Sequence, residues 1–154
     1  MNAKILLVDG EPSTHEAIGR LFRREPYEIF SATDAPEGFR LLERVDVDLI
    51  IANHSLPSMS GEELLHRACA QEDELAGLLI KDGHQPDIEH TPPRFPIVSR
   101  PWNGAELKLL VKHLLETCKL ERENTLLRAQ LRVQQAHISS LKEILMYLGN
   151  HRTG

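Results

Sequence analysis

The sequence lacks the features that mark several large classes of protein. It contains two cysteines, Cys69 and Cys118, in 154 residues, and their spacing matches no metal site, so neither a disulfide framework nor a cysteine-ligated metal is expected. No apolar run approaches the eighteen residues of a membrane span, and Met1 to Asp9 has a strand pattern rather than that of a signal peptide. These absences predict a soluble, cytoplasmic protein with no membrane partner.

An excess of positive charge is also missing. Residues 1–118 carry 12 basic and 20 acidic side chains, whereas residues 119–154 carry 6 and 3. The arginines near the start of this second part alternate with glutamates (Arg122, Arg128, Arg132; Glu121, Glu123). An acidic body and such mixed charges favour salt bridges over the basic region of a zipper-type DNA binder, so no nucleic-acid partner is expected.

The chain does contain a regular alternation of strand and helix patterns. Short apolar or β-rich runs predict strands at about 5–8, 27–32, 49–52, 78–80 and 96–99. Helices are predicted to follow four capping residues, each with a glutamate three positions later (Ser13, Asp34, Ser60 and Asn103). The first of these helices is expected to extend to about Glu25. Alternation with short connections predicts a doubly wound α/β domain with parallel strands.

Prolines interrupt this alternation between the fourth and fifth predicted strands. Asp82 to Phe95 includes Pro86, Pro92 and Pro93, and a proline inside a helix costs about 3 kcal/mol. The fourth helix is therefore predicted to be degraded to at most one turn, within an irregular and mobile segment. His84 and His90 lie here among acidic residues, but their spacing matches no familiar metal site, so we interpret them as loop residues.

Asp48 to Gly61 is the stretch around which the rest is organised. The apolar run Leu49 to Ala52 predicts a strand buried on both faces, and Asn53 lies at its carboxyl end. Asp9 ends the first strand at the same edge of the sheet. Ligands of open α/β sheets bind at this edge, so Asp9 and Asn53 are candidate site residues.

Residues 1 to about 118 resemble the receiver domain of two-component response regulators. The resemblance is carried by the acidic end of strand one, by the Leu-Pro-x-Met-x-Gly loop ending at Gly61, and by Arg100-Pro101-Trp102, where receivers usually have Lys-Pro and often Trp. It implies a flavodoxin-like five-stranded parallel sheet of order 2-1-3-4-5. It also implies a role in phosphorelay signal transduction, with a histidine kinase or an output protein as candidate partners.

The family's functional positions differ in this chain. Receivers accept a phosphoryl group on an Asp where this chain has Asn53, and they hold Mg²⁺ with two adjacent acids where it has Asp9 and Gly10. The resemblance implies a degenerate pocket at six positions (Asp9, Gly10, Glu11, Asn53, Lys81 and Arg100). Lys81 stands at the family's Thr or Ser position, and Arg100 at its Lys position. We therefore expect no catalytic residue, no enzymatic activity, and Mg²⁺ binding that is lost or weak.

The chemistry of this pocket leaves three interpretations open. Asp9 can form a simple ion pair with Arg100, the cations can bind a small anion, or Asp9 or another residue can accept a phosphoryl group in place of Asn53. The ion pair is the preferred interpretation.

The last predicted helix is too long for the domain that it covers. A helix from about 103 to 148 would be about 69 Å long at 1.5 Å per residue. Beyond Cys118 a mostly apolar set of residues repeats with alternate spacings of four and three, with Asn124 as a polar member and Gln134 as an interruption (Leu120, Asn124, Leu127, Leu131, Ile138, Leu141, Leu145 and Leu148). This heptad pattern predicts that residues 119–150 form a parallel coiled-coil homodimer, in which Asn124 meets Asn124.

Receivers followed by such a helix resemble the N-terminal part of regulators whose helix continues into an output domain, such as a cyclic-dinucleotide phosphohydrolase. This is the third functional hypothesis. The preferred one is a pseudo-receiver that is not phosphorylated at Asn53 and acts as a dimeric interaction or scaffold module, and the second is a phosphotransfer receiver that uses Asp9 or another acceptor.

Overall fold

The computed structural model describes residues 2–71, 74–83 and 94–151. In these ranges the strands are β1 Ala3–Val8, β2 Tyr27–Ala32, β3 Leu49–Asn53, β4 Ala76–Asp82 and β5 Ile97–Arg100. The helices are α1 Pro12–Leu21, α2 Ala35–Arg44, α3 Gly61–Gln71 and α4 Gly104–Asn150. The strands form one parallel sheet of order β2-β1-β3-β4-β5. The predicted flavodoxin-like fold and the long C-terminal helix are confirmed.

The sheet is covered on both faces, which explains its apolar strands. All five residues of β3 are buried, and alternate residues of the central strands belong to two separate apolar clusters. One cluster includes Leu64 and Leu65 of α3, and the other includes Ile18 of α1 with Val111 of α4. A strand with helices on both sides has no solvated face, so it needs apolar residues without alternation.

Three of the four predicted helix starts are confirmed. The backbone N–H of Glu37 donates to Asp34 Oδ1 at 2.9 Å, that of Glu63 to Ser60 Oγ at 3.1 Å, and that of Ala105 to Asn103 Oδ1 at 2.9 Å. The short polar side chains therefore satisfy N–H groups that the first turn of each helix leaves unpaired.

The predicted boundaries of α1 are wrong. The helix begins at Pro12 and ends at Leu21, so Ser13 lies inside it and the predicted end at Glu25 is too late. Proline is pre-organised for the first helical position, because its φ angle is already helical and it has no N–H to satisfy. Pro12 therefore starts the helix two residues earlier than a cap at Ser13 would, and no side chain caps it.

The two last strands differ slightly from the prediction. β4 is longer than 78–80, since Ala76 already pairs with Leu49, and β5 is shifted by one residue to Ile97–Arg100. A Cβ on Gly77 would lie 2.8 Å from the Phe95 ring, so glycine lets this ring pack on the early part of β4. Most of the predicted irregular segment, including His84 and His90, lies outside the described residues.

Two compact units make up the chain, residues 1–118 and 119–154. In the first, Cys69 and Cys118 are buried, and their thiols donate to the carbonyl oxygens of Leu75 and Glu74. In the second, the described residues continue α4, and the large apolar residues of the predicted heptad are 47–67% exposed. Of the helices described, not one is long and apolar enough to cross a membrane.

Candidate signalling pocket at the carboxyl edge of the sheet

Three strands bring their carboxyl ends together at the candidate site. Asp9 follows β1, Asn53 ends β3 and Arg100 ends β5. Asp9 is fully buried and Asn53 nearly so, whereas the Arg100 side chain retains 19% of its exposure. Parallel strands place these residues at one edge, so the expected meeting of Asp9, Asn53 and Arg100 is observed.

Both carboxylate oxygens of Asp9 are engaged. Its Oδ1 accepts the backbone N–H of Glu11 at 2.8 Å. Its Oδ2 accepts Arg100 Nη2 at 2.6 Å and Asn53 Nδ2 at 3.1 Å. A buried charge is tolerated when it is paired and hydrogen-bonded, and Asp9 meets both conditions.

Asn53 connects this carboxylate to the loop that follows β3. Its Nδ2 donates to Asp9, and its Oδ1 accepts the backbone N–H of Ser55 at 3.0 Å. The backbone N–H of His54 donates to the carbonyl of Ile80 on β4 at 2.8 Å. The amide therefore serves as a hydrogen-bonded bridge between a buried acid and the backbone.

Arg100 interacts with more than one acidic residue. Its Nη1 lies 3.0 Å from Glu11 Oε2 and 3.8 Å from Asp82 Oδ1. Its guanidinium carbon lies 5.9 Å from the centroid of the Trp102 ring, within the range of a cation–π contact. The planar guanidinium can serve these partners together because its donors point in several directions.

The remaining predicted pocket residues lie close by in the chain or sheet. A Cβ on Gly10 would lie 3.6 Å from the carbonyl oxygen of Thr33, an ordinary contact, so this backbone would accept a side chain. Lys81 lies on β4 in register with Ser99, one residue before Asp82, which is in register with Arg100. The sequence pattern placed Asp82 at the start of the irregular segment, and the register of β4 with β5 is what assigns it to the pocket.

The loop after Asn53 is closed tightly by Gly61. The backbone N–H of Gly61 donates to the carbonyl of His54 at 2.9 Å, and Ser55 forms an antiparallel bridge with Ser60. A Cβ on Gly61 would lie only 2.1 Å from the carbonyl oxygen of Asn53. The glycine of the loop motif is therefore needed for α3 to begin directly against the backbone of the site.

Sequence reasoning missed His15. Its Nε2 lies 2.6 Å from the backbone carbonyl oxygen of Asp9, and its Nδ1 is buried without a hydrogen-bond partner among the described residues. His15 lies on α1 about one turn after Pro12, on the side of the helix that faces the end of β1. A pattern search for charged residues at strand ends does not find such a residue, because its contact is with the main chain.

Thr33 and Glu37 form a hydrogen-bonded pair next to the pocket. Glu37 Oε2 accepts the backbone N–H of Thr33 at 2.9 Å and its hydroxyl at 2.8 Å. These bonds from Thr33 hold the pKa of Glu37 below its ordinary value, with smaller contributions from Arg40 and His15. The described residues contain no group of three or more His, Cys, Asp or Glu side chains placed to hold a metal ion.

Fold and pocket together define a signal-receiver type of α/β domain. The chain belongs to the response regulator receiver domain family, whose model matches residues 5–87. It is therefore related to the signalling modules of two-component systems, as the resemblance predicts.

Relatives with established names support this membership. The chain is 28% identical over 115 residues to the aerobic respiration control protein ArcA of Escherichia coli (strain K12), which covers 72% of this chain and 48% of ArcA. It is 24% identical to the hydrogenase transcriptional regulatory protein HoxA of Bradyrhizobium diazoefficiens, over 91% of this chain and 30% of HoxA. The chain thus spans about half of ArcA and less of HoxA.

A solved structure shows the same fold at higher identity. The signal receiver domain of an HD domain-containing protein from Pseudomonas fluorescens Pf-5 is 31% identical, with a TM-score of 0.73. The similarity covers 79% of this chain and 93% of that domain.

Proposed function

We propose that this receiver works without phosphorylation, as a dimeric interaction module in two-component signalling, and that it has no catalytic activity of its own. The observation that carries the proposal is the bridge formed by Asn53. A carboxylate can attack a phosphorus centre to form an acyl phosphate, whereas an amide has its nitrogen lone pair delocalised and carries no charge. In this pocket both ends of the Asn53 amide are already hydrogen-bonded, to Asp9 and to Ser55.

We also propose that Arg100 replaces the metal ion that active receivers bind. Mg²⁺ needs several oxygen ligands in a nearly octahedral arrangement. Here Asp9 and Glu11 are both paired with the Arg100 guanidinium, and Gly10 offers no ligand. The residues present therefore do not fit Mg²⁺, and a cation that belongs to the chain neutralises the acids instead.

The heptad residues of α4 beyond Cys118 support the dimeric part of the proposal. Its large apolar residues are exposed in the part of the single chain that the structure describes. Each such side chain contributes about 1.5–3 kcal/mol when it is buried, so the seven from each of two chains together exceed the roughly 4–15 kcal/mol that association costs. Asn124 favours a parallel pair, because two amides at the same level can hydrogen-bond to each other.

Incubation with acetyl phosphate and Mg²⁺, followed by intact mass, tests the pocket. The protein is expected to gain no phosphoryl group. Two variants are compared with the unaltered chain: Asn53→Asp alone, and Asn53→Asp together with Gly10→Asp. The space beside the carbonyl oxygen of Thr33 allows a side chain at position 10. The single variant is expected to remain largely unmodified while Arg100 and Lys81 are in place. A phosphoryl group mapped to the pocket of the unaltered chain would contradict the proposal.

The same experiment tests whether Asp9 accepts a phosphoryl group in place of Asn53. Asp9 has the required carboxylate, but it is fully buried and its oxygens are engaged with Arg100, Asn53 and Glu11. If the unaltered chain gains a phosphoryl group and Asp9→Asn does not, the alternative is correct.

A second candidate function is that of an N-terminal regulatory part of a longer regulator. The 31% identical receiver from Pseudomonas fluorescens Pf-5 belongs to an HD domain-containing protein, and HoxA and ArcA are both longer than this chain. An output domain such as a cyclic-dinucleotide phosphohydrolase would then be the partner that α4 leads to. Sequencing the transcript beyond the codon for Gly154 tests this directly, because an in-frame continuation encoding such a domain would establish it.

A further inference from the structure

The asparagines of the chain differ in the residue that follows them. Asparagine is chemically unstable because the backbone nitrogen of the next residue can attack its side-chain carbonyl carbon, which forms a five-membered imide and expels ammonia. A glycine in the next position makes this attack easiest, since it has no Cβ to restrict the backbone. Of the five asparagines (Asn2, Asn53, Asn103, Asn124 and Asn150), only Asn103 is followed by glycine.

The packing of α4 explains why position 104 is a glycine. A Cβ built on Gly104 would lie 2.9 Å from Cδ1 of Leu21, at the end of α1. Nonbonded carbon atoms do not approach so closely, so an alanine would force the Leu21 side chain to move. The close approach of α4 to α1 therefore favours glycine at this position, and the same glycine leaves the neighbouring Asn103 open to attack.

The groups that the reaction needs are available at Asn103. The residue is exposed, and among the described residues its Nδ2, the leaving group, has no hydrogen-bond partner. The attacking N–H belongs to Gly104, the first residue of α4, and has no acceptor in the described ranges. Asn103 Oδ1 accepts the N–H groups of Ala105 at 2.9 Å and Glu106 at 3.2 Å. Such paired donors stabilise the negative charge that develops on a carbonyl oxygen under attack.

Asn53, the asparagine of the pocket, is held in the opposite way. The nitrogen that would attack it is that of His54, whose N–H donates to the carbonyl of Ile80 at 2.8 Å. The leaving group is held too, because Asn53 Nδ2 donates to Asp9 at 3.1 Å and the residue is buried. Attack at Asn53 would break both hydrogen bonds inside a buried pocket, so we expect the fold to protect this amide.

We propose that Asn103 is a site of spontaneous deamidation in the folded chain, and that Asn53 is protected from it. In the first step a bond forms between the Gly104 nitrogen and Asn103 Cγ, and the Cγ–Nδ2 bond breaks. The Gly104 nitrogen loses its proton to solvent, and Nδ2 takes one from water and leaves as ammonia. Water then opens the imide at either carbonyl, which gives aspartate or isoaspartate at position 103. Overall one water is consumed and one ammonia is released.

The two products change the start of α4 differently. Aspartate keeps an oxygen that can cap the helix, and it adds a negative charge beside the first N–H groups, where the helix dipole favours it. Isoaspartate lengthens the main chain by one carbon, so it disturbs both the cap and the approach of Gly104 to Leu21. The modification therefore alters the beginning of the helix that continues into residues 119–150, while the pocket keeps its amide.

Peptide mapping by mass spectrometry tests this proposal on the full chain, folded and in urea, at mildly alkaline pH. In the folded protein, the peptide with Asn103 should gain the mass difference between a hydroxyl and an amino group at least about tenfold faster than the peptide with Asn53. In urea the Asn53 peptide should react at least about tenfold faster than in the folded protein, because the bonds of Asn53 and His54 are lost. The rate at Asn103 should change less.

Two variants check the assignment to Asn103. Asn103→Ser keeps a capping oxygen but has no amide, so its peptide should show no mass gain. Gly104→Ala adds a Cβ beside the reacting groups and should slow the reaction to about one tenth or less. Because Gly104→Ala also displaces Leu21, Asn103→Ser is the variant that removes the amide without crowding α1.

Two outcomes would overturn the proposal. In the first, Asn103 is modified in urea but at least about tenfold more slowly in the folded chain, which would mean that the helix cap protects it. In the second, Asn53 is modified in the folded chain as fast as Asn103. The first outcome leaves the proposed function untouched, because phosphorylation and association are measured separately. The second would mean that the pocket slowly acquires an acid at position 53.

Discussion

The pocket differs from the tail of α4, residues 119–150, in which residues are buried and which are exposed. In the pocket, the buried carboxylate of Asp9 is satisfied within the chain, by hydrogen bonds from Arg100, Asn53 and the backbone of Glu11. In the tail, large apolar residues such as Leu131 and Leu145 are exposed. The buried acid of the pocket is therefore paired within the chain, whereas the tail exposes the apolar residues through which the proposed dimer would form. A receiver with this division would carry its signal through association rather than through chemistry.

The largest effect is expected from the tail. Leu131→Glu with Leu141→Glu puts two charges into each helix of the proposed coiled coil, and burying an unpaired charge costs far more than the lost apolar contact. We expect association at micromolar concentration to be abolished, as measured by sedimentation. The receiver fold should be unaffected, so near-UV circular dichroism of Trp102 should not change. Association that persists would mean that the receiver surface is the main contact.

A smaller but still large effect is expected from the pocket. Arg100→Ala leaves the buried carboxylate of Asp9 without its cation, and losing one partner of a buried ion pair costs about 3–5 kcal/mol. Urea unfolding should show this loss in the free energy of unfolding. The control is Arg67→Ala, which removes a pair with Glu63 of similar distance, 2.7 Å, between exposed side chains. That control should cost at most about 1 kcal/mol, and equal losses in the two variants would refute the special role of Arg100.

A third test concerns the glycine that closes the loop. Gly61→Ala would place a methyl group 2.1 Å from the carbonyl oxygen of Asn53, so the start of α3 must shift. We expect a loss of about 3 kcal/mol, at the upper end for overpacking, in the free energy of unfolding. The same substitution at Gly19, in α1, meets no atom within 4 Å and should be neutral or stabilising. If both variants behave alike, the close approach does not limit the position of α3.

The smallest effect is the pH dependence contributed by Glu37. Its pKa is lowered from the ordinary value of 4.5 by hydrogen bonds from Thr33. The stability that these bonds contribute is therefore present above pH 4.5 and is lost as the pH falls towards the folded-state pKa. Glu37→Gln should be less stable than the unaltered chain near neutral pH, and the difference should shrink on acidification. A difference that is constant over this range would exclude the carboxylate as its source.

Much of the fold could be predicted because its signals are local. Apolar runs without alternation indicate strands buried on both faces, and β3 is buried throughout. Asp34, Ser60 and Asn103 cap their helices through bonds within three residues, which a reader of the sequence can anticipate. The error at α1 has a local cause too, since Pro12 and Ser13 are competing start signals and the proline prevailed.

The sequence by itself determined which chemical groups the pocket contains, but only the tertiary structure decided how they are paired. That position 53 is an amide and position 10 a glycine can be read directly, and so can the heptad of the tail. Arg100 contacts Asp9 and Glu11, which are far from it in sequence, and Asp82 lies within 3.8 Å of it. His15 is only six residues from Asp9, but its contact with the Asp9 main chain depends on how the helix meets the end of β1. Such pairings follow from the register of β4 with β5 and from how α1 packs on the sheet, because side-chain contacts between elements depend on their relative positions and not on local pattern.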